Sequence, residues 1–304
     1  MSLRDFLLEF STHPEIRRMV SSSAAARRLS KRWVAGEKLE DALAAVAELN
    51  AAGISATLDH LGENVATVKE ARTACDVYSK MLDEIHQRGL DCNISLKLTS
   101  MGLDLDPGLC REHLAEILAK AGGYGSFVRV DMEGSAYTTR TLDMLREVRR
   151  QFDNVGAVIQ AYLHRSDHDI AELIQAKTRV RLCKGAYREP PDIAYQHKAD
   201  VDRNFVRLTQ ELLGSGVYHG IATHDPRMIQ AAIDYAQRNK VSPSAFEFQM
   251  LYGIRRDLQR QLRSEGWNMR VYIPFGSHWF PYLSRRLAER PANMFFLLKN
   301  VFRG

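Results

Sequence analysis

The chain has 304 residues, 45% of them hydrophobic and 26% charged, enough for one large domain or one domain with an appendage. Its net charge of +5 is spread along the chain rather than massed in a tail, which argues against nucleic-acid binding, and no apolar run reaches the length of a membrane span. The opening MSLRDFLLEFS carries Arg4, Asp5 and Glu9, unlike a secretory signal, and the four cysteines show neither CxxC pairing nor zinc spacing. A cytoplasmic protein without a structural metal is expected.

Residues 1–50 read as a helical arm, because SSSAAARRLSKRWVAG and LEDALAAVAELNAAG are rich in Ala, Leu, Arg and Glu and each ends near a glycine. Residues 51–304 have a different texture. Eight β-type runs follow: ISATLDH, NISLKLT, FVRVDME, VGAVIQAYL, TRVRLCKGAY, GIATHDP, FEFQMLYG and MRVYIPFG. Amphipathic stretches such as VKEARTACDVYSKMLDEIHQRG and DPRMIQAAIDYAQRN separate them, at the spacing of a βαβ unit. Eight such units predict an α/β fold of the (β/α)8 TIM-like barrel type; a doubly wound open sheet is the competitor.

The chemistry of a barrel sits where its strands end. Polar residues gather at those ends here: Asp59, His60 and Glu63; Lys97 and Thr99; Arg129, Asp131 and Glu133; Gln160 and Tyr162; Arg181, Lys184 and Tyr187; Thr223, His224 and Asp225; Gln249, Leu251 and Tyr252; and Tyr272. Period-two alternation puts Arg129, Asp131 and Glu133 on one face of FVRVDME, so inside a barrel they must be paired or functional. Cys183 alternates with Lys184 and is expected in the layer between barrel and helices. His164 and His168 stand four apart beside Asp167 and Asp169, but read as the start of a solvated helix rather than a ligand set. No GxGxxG follows a strand and opens a helix, which disfavours a nicotinamide site.

Two chemistries remain on these residues. Lys97 or Lys184, desolvated at a strand end, could serve a Schiff-base lyase. Alternatively Gln160, Arg181, Lys184 and the small residues of KGAY, with Thr223 and His224, could surround a flavin ring.

Near the end, YLSRRLAER lies between Pro281 and Pro291 and predicts a helix of about two turns. Tyr282, Arg285, Arg286 and Glu289 share one face, with Leu283 and Leu287 on the other. That face is either solvated, with an ordinary Arg285–Glu289 pair, or a clamp for a carboxylate.

The motifs SLKLT, VRVDMEGS, RLCKGAYREP, ATHDP, FEFQMLYG, VYIPFG and YLSRRLAER, in this order, resemble those of the proline dehydrogenase family over residues 50–300. The length and the N-terminal helices resemble its bacterial monofunctional form. The resemblance implies a distorted barrel with a C-terminal helix over its mouth, non-covalent FAD (FMN being the alternative), oxidation of L-proline to Δ1-pyrroline-5-carboxylate by hydride transfer from C5 to flavin N5, and a membrane quinone as electron acceptor. It implies that Lys97 and Asp131 line the proline site and that Arg181 lies beside flavin N5. Met132, Gln160, Lys184, Gly185, Ala186, Thr223 and His224 match flavin positions. Tyr187, Leu251, Tyr272 and Tyr282 match walls around the substrate ring. Arg285 and Arg286, with Glu289 beside them, match the grip on the substrate carboxylate, and Glu63 matches, more loosely, a gate that pairs with Arg285. The apolar tail MFFLLKNVFRG either packs on the barrel or makes peripheral contact with the inner face of the cytoplasmic membrane.

Overall fold

The β-runs become strands where branched and aromatic residues alternate with polar ones, and the amphipathic stretches between them become helices. The computed structural model describes residues 30–62 and 64–288, with side chains to Ser284. In chain order the elements are α1 (Leu39–Ala51), β1 (Ser55–His60), α2 (Val68–Gln87), β2 (Cys92–Leu96), a 3-10 helix (Leu98–Met101), α3 (Pro107–Gly123), β3 (Val128–Val130) and α4 (Ser135–Val148). They continue with β4 (Val155–Gln160), α5 (Ser166–Gln175), β5 (Val180–Cys183), α6 (Lys198–Gly214), β6 (His219–Ala222), α7 (Pro226–Arg238), β7 (Phe246–Leu251), α8 (Arg256–Ser264), β8 (Met269–Phe275) and α9 (Trp279–Ala288). The strands pair in parallel in sequence order and β8 returns to β1, closing the barrel.

Helix starts follow local chemistry. Thr67 and Glu70 form a capping box at α2. Asp106 and Asp225 cap α3 and α7, each with proline in the first turn. Helix α9 begins at Trp279, so Pro281 lies inside its first turn rather than before it; a proline there forfeits no hydrogen bond. Ala42, Leu43, Ala45 and Val46 of α1 join the core that the barrel strands share with their helices.

The barrel wall has two faces of opposite character. Outward residues such as Leu58, Ile94, Leu96, Val128, Val130, Leu182, Phe248 and Val271 are buried against the helices. Each such side chain contributes about 1.5–3 kcal/mol on burial. The inward alternates are polar and equally buried: Thr57, Asp59, Ser95, Arg129, Gln160, Arg181, Glu247 and Gln249. Burial of that kind is tolerable only when the groups satisfy one another.

The strands stop sooner than the runs in the sequence. β2 ends at Leu96 and Lys97 stands just before the 3-10 helix, β3 keeps three residues, and β5 ends at Cys183. Beyond these points the chain leaves the ladder to form the rim of the mouth. Cys183 also departs from expectation: it shares the inward parity of Arg181 and borders the cavity described below.

Candidate active site

Asp131 is the hub of the mouth. It follows β3, where its backbone N–H donates to Leu96 O at 2.8 Å and holds the carboxylate over the barrel. Oδ1 accepts from Ser95 Oγ at 2.6 Å and from Arg181 Nη1 at 2.8 Å, and Oδ2 accepts from the Tyr272 hydroxyl at 2.8 Å. Lys97 Nζ lies 3.8 Å from Asp131 Oδ2 and 3.3 Å from Asp59 Oδ2. Four strands thus deliver Ser95, Arg181, Tyr272 and Asp59 to the loop-borne pair Lys97 and Asp131. Burial, then the charges of Asp131 and Asp59, raise the Tyr272 hydroxyl well above the usual tyrosine range, so it stays protonated as a donor.

Arg181 is fixed from two further sides. Its Nε donates to Gln249 Oε1 at 2.5 Å, and its guanidinium carbon stands 5.1 Å from the centre of the Tyr272 ring.

Above this network lies a cavity of about 540 Å³. Lys97, Asp131 and Arg181 line one part, Met132, Val158, Met250 and Leu251 an apolar part, and Gln160, Lys184, Gly185, Ala186, Thr223 and His224 a polar edge. Tyr187, Tyr272 and Tyr282 complete it. A second chamber of about 1010 Å³ opens toward α2 and shares Lys97, Tyr187 and Tyr282 with the first.

The polar edge is built by local geometry. Gly185 has φ +122°, and a Cβ there would run into the Tyr162 ring, so only glycine makes this turn. Gln160 Nε2 donates to Glu133 O at 3.0 Å and its Oε1 accepts from Ala186 N at 3.4 Å. His224 Nε2 accepts from Leu251 N at 2.9 Å, which places the ring proton on Nδ1. Lys184 Nζ is bound by Asp202 at 2.5 Å and by Asp225 at 3.2 Å. Burial raises the Asp225 carboxyl, but hydrogen bonds from Arg227 and Lys184 outweigh it and hold the group below the usual range.

With Asp131, Arg181 and Lys97, the residues expected from the sequence at Met132, Gln160, Lys184, Gly185, Ala186, Tyr187, Thr223, His224, Leu251, Tyr272 and Tyr282 all border this one cavity. Tyr282 and Leu283 are buried in a cluster with Trp33, Val34, Leu61 and Trp279, which seats α9 against the mouth. Glu63, Glu289 and the side chains of Arg285, Arg286 and Leu287 lie outside the described residues, as does the tail from residue 294. Asp59 and Gln249 stand among the strand-end residues without an assigned role, and Ser95 is the partner that set lacks. Their inward parity in SATLDH, NISL and FEFQML carried the signal. Glu133, expected to be paired or functional, accepts from Thr99 Oγ1 at 2.7 Å. Arg129 binds the carbonyls of Ala157 and Arg179 at 3.1 and 2.7 Å. At α5, His168 faces Glu172 at 3.2 Å and Asp169 is paired with Arg165.

The profile of the family described as "Proline dehydrogenase" matches residues 42–299. The chain belongs to the proline dehydrogenase family. It is 42% identical over 274 residues to Proline dehydrogenase 1 of Bacillus subtilis subsp. natto, covering 90% of this chain and 91% of that one. It is 41% identical over 281 residues to Proline dehydrogenase of Deinococcus radiodurans, covering 91% of each chain. Proline dehydrogenase 2 of Bacillus subtilis (strain 168) aligns over 99% of both chains at 37% identity. Among solved structures, the barrel resembles proline utilization A (PutA) from Bdellovibrio bacteriovorus inactivated by N-propargylglycine, with a TM-score of 0.82 and 25% identity. That match covers 94% of this chain and 37% of the longer protein. As a proline dehydrogenase of the bacterial monofunctional kind, this chain catalyses an oxidation of proline in proline catabolism. No helix among the described residues is long and apolar enough to cross a membrane.

Proposed function

We propose that the cavity above Asp131 oxidises L-proline to Δ1-pyrroline-5-carboxylate with a non-covalently bound flavin, most simply FAD, and that a quinone receives the electrons. The single observation that carries this reading is the Asp131–Arg181–Lys97–Tyr272 network at one side of a cavity whose other edge is polar and whose walls are apolar. A flavin fits these residues. The volume of about 540 Å³ suits a tricyclic ring, and the donor set is cationic or neutral where a reduced ring becomes electron-rich. Met132, Gln160, Lys184, Gly185, Ala186, Thr223 and His224 would hold it.

A flavin bound there supplies a two-electron acceptor for the hydride that leaves C5. The chain's own residues do the rest by positioning and charge. Arg181 Nη1 and Nε are tied to Asp131 and Gln249, while Nη2 has no hydrogen bond to any described residue, and the side chain lines the cavity. Tyr272, Tyr282, Tyr187 and Leu251 would enclose the apolar ring of proline. Arg285 and Arg286 would grip its carboxylate, with Glu289 supporting them and Glu63 pairing with Arg285 in the empty site. Only the neutral amine has a lone pair to release into the imine. Lys97, Arg181, Arg285 and Arg286 together would make a cationic site that favours loss of its proton. Asp131 orders Lys97, Arg181 and Tyr272 rather than acting as the base, because both its oxygens already accept hydrogen bonds. A quinone dissolved in a membrane would be reached by peripheral contact through the apolar tail.

The Schiff-base lyase is the poorer reading. Lys97 faces Asp59 and Asp131, and Lys184 faces Asp202 and Asp225, whereas that chemistry needs a desolvated lysine free of such pairing. The deciding experiment is a spectrum. The purified protein, as isolated or reconstituted with FAD, is expected to be yellow and to bleach on anaerobic addition of L-proline. A colourless protein that takes up no flavin and is trapped by borohydride with a keto substrate would replace this reading with the lyase.

A further inference from the structure

The interior of the barrel holds a chain of polar contacts that begins below the cavity and ends at Arg181. Arg270 Nε donates to both oxygens of Glu247 at 2.9 Å, and the Tyr218 hydroxyl donates to Glu247 Oε2 at 3.0 Å. Gln249 Nε2 donates to Glu247 Oε1 at 2.6 Å. The other end of that amide, Oε1, accepts from Arg181 Nε at 2.5 Å. Glu247, Gln249 and Arg181 are all buried.

We infer that Gln249, set by Glu247, is a positioning residue for proline oxidation: it fixes the guanidinium of Arg181 so that Nη1 meets Asp131 and Nη2 is left for the cavity. The inference rests on the reading of Arg181 given above. The logic is one of donors and acceptors. A carboxylate only accepts, so Glu247 must face the NH2 end of the glutamine amide. The carbonyl end is thereby turned to Arg181, which only donates. Flipping the amide would set acceptor against acceptor at Glu247 and donor against donor at Arg181, losing both bonds at once in a buried site. Arg270 and Tyr218 hold Glu247, so the direction of the amide is fixed from beneath. The arrangement also needs Gly220: a Cβ there would overlap the Gln249 amide, so the β6 neighbour of Glu247 and Arg181 leaves room for the glutamine to cross. With Nε held by Gln249 and Nη1 by Asp131 and Ser95, the guanidinium plane cannot turn.

The test compares Gln249→Met, Glu247→Gln and Arg181→Met in the full-length enzyme, using proline and proline deuterated at C5. Methionine keeps the length of the glutamine stem and deletes both bonds. Expected for Gln249→Met is a fall in kcat of about 10- to 100-fold, the cost of a slightly misplaced catalytic group, with KM for proline within about threefold. The isotope effect on kcat should grow toward its intrinsic value, because the chemical step itself is slowed and becomes less masked by other steps. A loss of correctly folded protein would lower kcat and leave that isotope effect unchanged at its wild-type, partly masked value. Glu247→Gln still offers an acceptor and should lose about 3- to 10-fold; it carries the test if Gln249→Met does not fold. A folded Gln249→Met or Glu247→Gln enzyme with kcat within twofold of wild type overturns the proposal. If Arg181→Met also keeps its kcat, the error lies in the role given to Arg181; if only Arg181→Met loses it, the error lies in the positioning.

Discussion

Replacing Asp131 tests the site at its hub. The carboxylate is buried and accepts from Ser95, Arg181 and Tyr272, with Lys97 at 3.8 Å. Asp131→Asn keeps the shape. Its amide oxygen can still accept from Arg181 and Ser95, and Tyr272 can rotate its hydroxyl to meet the NH2. What is lost is the charge opposite two cations. A hydrogen bond to a charged group is worth about 1.5–3 kcal/mol against about 0.5–1.5 for a neutral one. The loss is then about 1–1.5 kcal/mol at Arg181, and with Lys97 about 1.5–3 kcal/mol in all. Expressed in the transition state, that is about 10- to 150-fold in kcat/KM. Asp131→Ala goes further and leaves Arg181 facing an uncompensated hole. Breaking a buried pair in this way costs about 3–5 kcal/mol of stability. Steady-state proline oxidation with an artificial acceptor, alongside urea unfolding, reads both effects. The reasoning fails if Asp131→Ala unfolds within about 1 kcal/mol of wild type and both variants keep kcat/KM within threefold.

Gly185→Ala should strain the φ +122° turn and push on Tyr162, costing about 1–3 kcal/mol; calorimetry and retained flavin per chain check it, and a stable variant with full flavin content would contradict it. His219 Nδ1 accepts from Val180 N at 2.9 Å, and burial, then the charge of Arg129, push its pKa down from 6.5 to about 3. Below 6.5 the unfolded chain takes up a proton that the folded one refuses, so stability from this group is complete above 6.5 and falls with pH toward 3, by up to about 1.4 kcal/mol per unit. Urea unfolding at pH 7 and pH 5 should therefore show a steeper loss in wild type than in His219→Gln; parallel slopes would refute it. Arg285→Met or Arg286→Met should raise KM for proline enough to cut kcat/KM about 30- to 1000-fold while sparing kcat, since the carboxylate keeps its charge through the reaction; a normal KM in both variants would mean a solvated charged face instead. Because the neutral amine reacts, kcat/KM should rise with pH over the mildly acidic to alkaline range, and a flat profile with chemistry rate-limiting would exclude that mechanism.

Much of the site was legible because a β-strand has a period of two. Arg129, Asp131 and Glu133 could be placed on one face from FVRVDME alone, and they are buried as that parity requires. The same rule, applied to NISL, adds Ser95, the residue that opens the SLKLT motif. Parity gave less help past the strand ends. Counting KGAY as a continuation of β5 puts Cys183 outside the barrel. The strand stops at Cys183 and the chain turns at Gly185, so counting from Lys184 inverts the face.

The sequence by itself determined the barrel, the family and the inventory of groups at the mouth, since hydrophobic periodicity and the order of seven motifs are properties of a one-dimensional string. Only the tertiary structure decided who meets whom. Arg181 and Asp131 are 50 positions apart and are brought together across β4, and Tyr272 and Asp131 are 141 apart and meet because β8 returns to β1. Gln249 could not be assigned a direction from FEFQML. Its amide end is chosen by Glu247 below and Arg181 above, and the space it crosses by a glycine on another strand. Donor–acceptor matching is a three-body property of side chains converging from different strands, and it exists only once the barrel has closed.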